Sequence, residues 1–240
     1  MNNLLNKTPK YQQIIQYIID KIEKKEFKEG QKLPTEEELC SYFNVSRISV
    51  RKAYDELMHQ GYIIRKHGKG SYVNTSLMVM QLNSLQGFTE EMRSRGIRVT
   101  SKVLKFELVN AEQEVSNKLQ IEKNSKVYAI ERLRYTDNEP MAIETVFIPY
   151  FYCPDLENHN LTNSLYEILQ NYYKISPVKA SQSIEADLAN KREHEILNIK
   201  LKAPILKIER ISYLNNNTPM EYVTSLYRGD KYKFYVMLNK

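Results

Sequence analysis

The chain of 240 residues has no tryptophan, two cysteines, four histidines and seven glycines. Cys40 and Cys153 lie far apart with no second Cys or His at ligand spacing, which excludes a disulfide framework or a structural zinc site and leaves two reduced packing residues. No run of about 18 apolar residues occurs, and no basic leader precedes an apolar stretch. The sequence therefore predicts neither membrane span nor signal peptide, and a cytosolic location. His59, His67, His159 and His194 are scattered, and no nucleophile–base pair, metal spacing or phosphate-binding Gly loop stands in the required context. Neither a catalytic residue nor a metal nor a cofactor is expected.

What the chain does have is length for two domains, each with its own core, and an uneven charge. The formal net charge is +6; residues 1–75 carry 13 Lys or Arg against 9 Asp or Glu, and residues 76–240 carry 22 against 20. Within residues 47–72 the count is six basic against two acidic, the footprint of a phosphate-binding face.

That basic stretch has an ordered pattern. Thr35 and Glu38 make a capping box opening a helix whose apolar residues Leu39, Tyr42 and Phe43 follow at helical spacing, and Asn44-Val45 supplies a tight turn. Ser46 caps a second helix with an inward face of Val50, Ala53, Tyr54 and Leu57, ending where Gly61 can take a left-handed conformation. Strand-like Tyr62-Ile63-Ile64-Arg65, the donor-rich turn Lys66-His67-Gly68-Lys69-Gly70 and a returning Ser71-Tyr72-Val73 follow. Helix, turn, helix and basic hairpin in this order read as a winged helix-turn-helix that binds double-stranded DNA. The outer face of the second helix carries Arg47, Ser49, Arg51 and Lys52. Its start faces base edges in the major groove, so Arg47, whose planar fork suits guanine, is the expected base contact, with Ser49 and Lys52 on phosphates.

Residues 8–75 resemble the DNA-binding domain of the GntR family of bacterial transcription regulators. The resemblance rests on a leading helix with Ile14, Ile15, Ile18, Ile19 and Ile22, the Leu33-Pro34-Thr35-Glu36 entry, and Ser46-Arg47-x-x-Val50-Arg51. Glu37 stands where many relatives carry an Arg that helps read the operator. Glu can accept from cytosine N4, and it also suits an acidic helix start. The residues assigned to DNA are Thr35, Glu37, Ser46, Arg47, Ser49, Arg51, Lys52, His67, Gly68 and Lys69.

Behind a connecting stretch over residues 76–86, whose apolar centre is Leu77-Met78-Val79-Met80, the remaining chain contains an internal repeat. Ile130-Glu131-Arg132-Leu133-Arg134-Tyr135 leads through a turn to Pro140-Met141, and Ile208-Glu209-Arg210-Ile211-Ser212-Tyr213 leads to Pro219-Met220. Asn110-Ala111-Glu112 and Asn190-Lys191-Arg192 can each cap a short helix ahead of the strand pair, closed by Leu119 and Ile199. This predicts an α+β, largely antiparallel domain. Arg132 and Arg134, two apart on a strand, project from one face and can clamp a phosphate. Ser164 and Glu167 form another capping box on a helix with Leu165, Ile168, Leu169 and Tyr172 at helical spacing; such a helix start is an anion site. Gly87-Phe88-Thr89 offers a second hydroxyl. Glu144, Glu221 and Tyr227 suit sugar hydroxyls or an amine. Taken singly, each is more often ordinary: a salt-bridged edge, a plain cap, a surface carboxylate.

Residues 85–240 together resemble the UTRA effector domain of the HutC-type branch of the same family. This implies a chorismate-lyase-like α+β fold without lyase activity, a homodimer, and a ligand pocket in each effector domain. Within that branch the chain is most similar to amino-sugar utilisation repressors that sense glucosamine-6-phosphate or N-acetylglucosamine-6-phosphate. The matching positions are Thr89, Arg132, Arg134, Ser164 and Tyr166 toward the phosphate, Glu144, Glu221 and Tyr227 toward the sugar, with Phe88 beside them; Thr89 stands where Ser is expected.

The expected organisation is a winged helix-turn-helix over residues 1–75, a linker over 76–86 and an effector domain over 87–240. The expected function is a repressor released from a palindromic operator by an amino-sugar phosphate. Alternatives are another phosphorylated sugar such as trehalose phosphate, an enzyme acting on a small anionic substrate, or a nonspecific DNA-binding protein.

Overall fold

A computed structural model describes residues 9–24, 26–28, 30–59, 61–66, 68–74, 78–81, 85–94 and 97–236. The chain divides into two compact units, residues 1–82 with 233–240, and residues 83–232.

In the first unit, α1 (Lys10–Glu23), α2 (Glu36–Phe43) and α3 (Arg47–His59) pack around Ile14, Ile18, Leu33, Leu39, Val50, Ala53, Tyr54 and Leu57. The Thr35 capping box forms as expected: the Glu38 amide donates to Thr35 Oγ1 at 3.2 Å, and the Thr35 amide to the Glu38 carboxylate at 2.6 Å. Asn44 ends α2 in the left-handed region, φ 50°. Tyr42, expected with Leu39 and Phe43 on the apolar side, is instead 68% exposed. A helix of two turns buries only a narrow stripe, and the Tyr42 ring rests against Tyr17 outside it. Gly61 has φ 78°; its amide donates to Met58 O and that of Tyr62 to Leu57 O, the pair of hydrogen bonds that closes a helix.

The hairpin pairs β1 (Ile63–Lys66) with β2 (Gly70–Val73), Ile63 opposite Val73 and Lys66 opposite Gly70. Gly68 and Gly70 both have positive φ, which this turn requires. Lys32 bridges to Tyr72, adding a third backbone to the hairpin. The stretch expected as a linker contains β3 (Met78–Gln81), which pairs with β10 (Tyr232–Tyr235).

The second unit is an antiparallel sheet in the order β4 (Val99–Asn110), β5 (Lys126–Thr136), β6 (Glu139–Pro149), β9 (Pro219–Arg228), β8 (Pro204–Tyr213), β7 (Lys179–Leu188). Asp137 and Asn138, both with positive φ, make the two-residue turn between β5 and β6. The repeat is real in three dimensions. The β5–β6 register shifts between Arg134 and Tyr135, and the β8–β9 register shifts at the corresponding Ser212 and Tyr213.

One sheet face meets α5 (Gln113–Leu119) and α7 (Lys191–Leu197) through Val127, Leu133, Ile143 and Tyr222. The other, with Tyr128, Ile130, Val146 and Ile148, packs on α6 (Leu165–Tyr173). Asn190 caps α7 in a full capping box. Asn110 does not cap α5: it is the last residue of β4, and Glu112 holds the N-cap position without a side-chain bond. Ser164 caps α6, accepting from the Glu167 amide at 3.3 Å, but Glu167 does not reciprocate, because Arg93 on α4 (Phe88–Ser94) draws its carboxylate away at 2.5 Å. Among the described residues no helix is long and apolar enough to cross a membrane.

Candidate DNA-reading face and effector pocket

Ser46 begins α3, its hydroxyl accepting from the Ser49 amide at 3.4 Å and lying 3.3 Å from the Ser49 hydroxyl. Arg47, next in the chain, is exposed and makes no hydrogen bond or ion pair among the described residues. Arg51 differs: its Nε donates to Glu36 at 2.9 Å, and Glu36 also accepts from Arg65 of β1 at 3.2 Å. One carboxylate at the start of α2 thus ties α3 to the hairpin. The Lys52 ammonium sits 4.0 Å from the Tyr11 ring centre. Thr35 is occupied as a cap, Glu37 is exposed on α2, and Gly68 and Lys69 form the exposed hairpin tip. His67 lies outside the described residues. Sequence reasoning passed over Arg65 and Ile48, the latter 80% exposed between Arg47 and Ser49.

In the second unit strand alternation brings Arg132 and Arg134 to the same face, as expected, and buries both, 3% and 2% exposed. Their environments diverge. Arg132 faces Glu144 across β5 and β6; Nε is 3.1 Å from the carboxylate, Nη2 bonds the same oxygen, and Nη1 reaches the carbonyls of Leu161 and Asn163 at 3.3 Å. Burial pushes the Glu144 carboxyl upward, but the charges of Arg132 and Arg134 outweigh it and hold the group below its ordinary value.

Arg134 donates from Nη2 to Thr89 Oγ1 at 2.6 Å and lies under the Phe88 ring, 4.8 Å from its centre. Its Nε and Nη1 are buried with no partner among the described residues. Burial, together with the neighbouring Arg132 charge, lowers its pKa to about 10, so it is still cationic at neutral pH. Bare donors on a buried cation are costly, and an arriving anion would satisfy them. Thr89 and Ser164, the latter at the start of α6, both line a groove of about 370 Å³ shared with Arg93, Asn163 and Asn171.

Glu221 is 1% exposed and accepts from Tyr166 and from Ser212, the latter at 2.7 Å. Burial raises its pKa despite these bonds; burial and Glu221 together push Tyr166 far above the ordinary phenol value. Tyr166, placed by sequence with the phosphate, thus joins Glu221, placed with the sugar. Tyr227, raised to about 12 by burial and by Glu144, packs on Phe88.

Arg210 was missed, although the repeat aligns it with Arg132. Its Nε donates to Gln182 at 2.7 Å and its Nη1 to the Gln86 carbonyl at 3.3 Å. Residues 86–89 are therefore held by the site at every position: Gln86 by Arg210, Phe88 and Thr89 by Arg134, and Gly87 so close to Tyr166 that an added Cβ would stand 3.1 Å from its ring.

Residues 10–73 match the gntR family of bacterial regulatory proteins, and residues 94–233 match the UTRA domain. The chain is 34% identical over 226 residues to the HTH-type transcriptional repressor NagR of Bacillus subtilis (94% of this chain, 93% of that protein). It is 32% identical to the mannosyl-D-glycerate transport/metabolism system repressor MngR of Escherichia coli, covering 94% of both. The crystal structure of PhnF from Mycobacterium smegmatis has the same fold, with a TM-score of 0.73 at 24% identity over 94% of this chain and 99% of that one. Both sequence relatives are repressors. A winged helix with a basic, outward-facing second helix, followed by a UTRA domain with a buried arginine pair, places this chain in the gntR family of bacterial regulatory proteins: it is a DNA-binding transcription regulator.

Proposed function

We propose that this regulator is a cytosolic homodimeric repressor that holds a palindromic operator and releases it on binding an amino-sugar phosphate, glucosamine-6-phosphate or N-acetylglucosamine-6-phosphate. The DNA-binding domain is residues 1–75, the linker 76–86 and the effector domain 87–240. Thr35, Glu37, Ser46, Arg47, Ser49, Arg51, Lys52, His67, Gly68 and Lys69 form the operator face. Phe88, Thr89, Arg132, Arg134, Glu144, Ser164, Tyr166, Glu221 and Tyr227 form the effector site. The observation that carries the effector class is Arg134, buried with two donors unmet beside Thr89, in a unit where Ser164 opens α6. Thr89, which accepts from Arg134, lines one groove with Ser164, so an anion there meets a hydroxyl backed by a buried cation and a helix N-terminus. Similarity to a repressor named for mannosyl-D-glycerate, and at 32% identity to a probable fructoselysine utilization operon repressor of Escherichia coli, supports a sugar-derived ligand.

A ligand that prefers the orientation in which the two winged helices miss their half-sites weakens DNA binding, and a coupling of about 1–3 kcal/mol suffices for release. The test is thermal stability against a panel of sugar phosphates, followed by operator titration with the hit. Amino-sugar phosphates are expected to raise the midpoint and to displace operator; both effects vanish in Arg134→Met. A response to trehalose phosphate alone replaces the signal, and silence across the panel overturns the anion site. By reciprocity, saturating operator must weaken effector binding by the same factor, measurable by calorimetry.

A further inference from the structure

Ile48 is the most exposed large apolar side chain among the described residues, at 80%. Neither core nor helix accounts for it. The inward face of α3 is complete without it, with Val50, Ala53, Tyr54 and Leu57 at 0–2% exposure. A β-branched residue also loses rotamer freedom in a helix, so an exposed isoleucine is a poorer helix former than alanine. Its neighbours one turn on are Arg51 and Lys52, both exposed, so an apolar group stands among cationic side chains.

The position supplies what the fold does not. Ile48 is the second residue of α3, between unpaired Arg47 and the Ser49 that helps form the cap. In a helix-turn-helix the first turn of the second helix is the part directed at base edges. A side chain without donor or acceptor gains nothing from phosphates. In the major groove the apolar feature it can meet is the C5 methyl of thymine; pressed on cytosine or guanine, it would leave polar edges without water or partner.

We propose that Ile48 is a specificity-determining residue that packs on a thymine methyl in each operator half-site. It works beside Arg47 and needs no hydrogen bond of its own.

The experiment uses the full-length protein. Operator sequences are first selected from randomised duplex DNA, and each thymine of the selected site is then replaced by deoxyuridine, which pairs identically but lacks the methyl. Wild type is expected to lose about fourfold in affinity per half-site at one thymine, equivalent to burying one methyl group, about 0.8 kcal/mol. In Ile48→Ala that penalty disappears at the same thymine while penalties elsewhere persist, and the thermal midpoint does not fall, because the side chain is outside the core and alanine is the better helix former. Selection with Ile48→Gln is expected to change the preferred base at that position alone, toward adenine, which Gln can read through N6 and N7. The proposal is overturned if no deoxyuridine penalty depends on residue 48, if the position facing it is not thymine, or if Ile48→Gln selects the wild-type sequence unchanged.

Discussion

Arg132 and Glu144 stand directly opposite each other on β5 and β6, and the carboxylate takes two of the guanidinium's hydrogen bonds. Of the two arginines raised on one face, one is neutralised from within and the other is not. The site is charged asymmetrically before any ligand arrives, and its unmet demand is concentrated on Arg134.

Glu144→Gln leaves Arg132 as a buried cation without its counter-ion. The expected loss is about 3 kcal/mol in urea unfolding at neutral pH, the lower end for breaking a buried pair because the Leu161 and Asn163 carbonyls remain. Since the folded-state pKa of Glu144 lies below the unfolded one, its contribution is present above the unfolded value and is lost as pH falls through the folded one. The gap between wild type and variant should therefore narrow on acidification below about pH 4, the ordinary Glu range. A pH-independent gap refutes the ionic account.

Arg134→Met should act in the opposite way on the empty protein. It removes a buried cation with two bare donors and keeps an unbranched apolar side chain, so stability should hold or rise. Anion binding should fall by about 100-fold or more, the loss of two bonds to a charged group at about 1.5–3 kcal/mol each. Calorimetry with the sugar phosphate and with inorganic phosphate measures it; unaltered affinity for both would remove Arg134 from the site.

Effector affinity should rise with pH between about 5 and 7 if the ligand is a phosphate monoester, whose second proton leaves near pH 6. Arg134 stays cationic throughout, with a pKa of about 10, and contributes none of the slope; repeating the series with Glu221→Gln removes any share from that raised carboxyl. A carboxylate ligand gives a flat profile over that interval, which separates the two chemistries in a single titration series.

Arg47→Ala should weaken cognate DNA by about 1–3 kcal/mol and relax sequence preference without changing the unfolding midpoint. Arg51→Ala should show a small cost in stability as well, because it releases one exposed arm of the Glu36 tie. Binding titrations on cognate and scrambled duplexes, paired with melts, distinguish a base contact from a strut.

Local chemistry made much of this legible in the sequence. Thr35 with Glu38, the cap at Asn190 and the glycine at 61 act within a few residues, so local sequence announces them. Alternation placed Arg132 and Arg134 on one face, and the repeat announced the second hairpin, while the matching bulges came from the structure. The failures are those of distance and of width. Glu144 opposite Arg132 depends on register, Arg93 diverting Glu167 spans 74 residues, and Arg210 reaching Gln86 spans 124. Tyr42 and Tyr172 obey helical spacing but lie beyond the stripe that short helices bury.

Residues 86–89 enter the second unit as part of the container they lead into, Gln86 held by Arg210, Gly87 packed on Tyr166, and Phe88 and Thr89 both held by Arg134. Selection acting on this stretch therefore has one dial rather than two. On the proposed reading of this site, a substitution at Gly87 or Thr89 that retunes which small molecule fits also resets how firmly residues 86–89 are held. Variants adapted to a new nutrient through these positions should thus arrive with altered basal expression of the controlled genes, whereas those adapted through other lining residues such as Asn171 can change taste while keeping temperament.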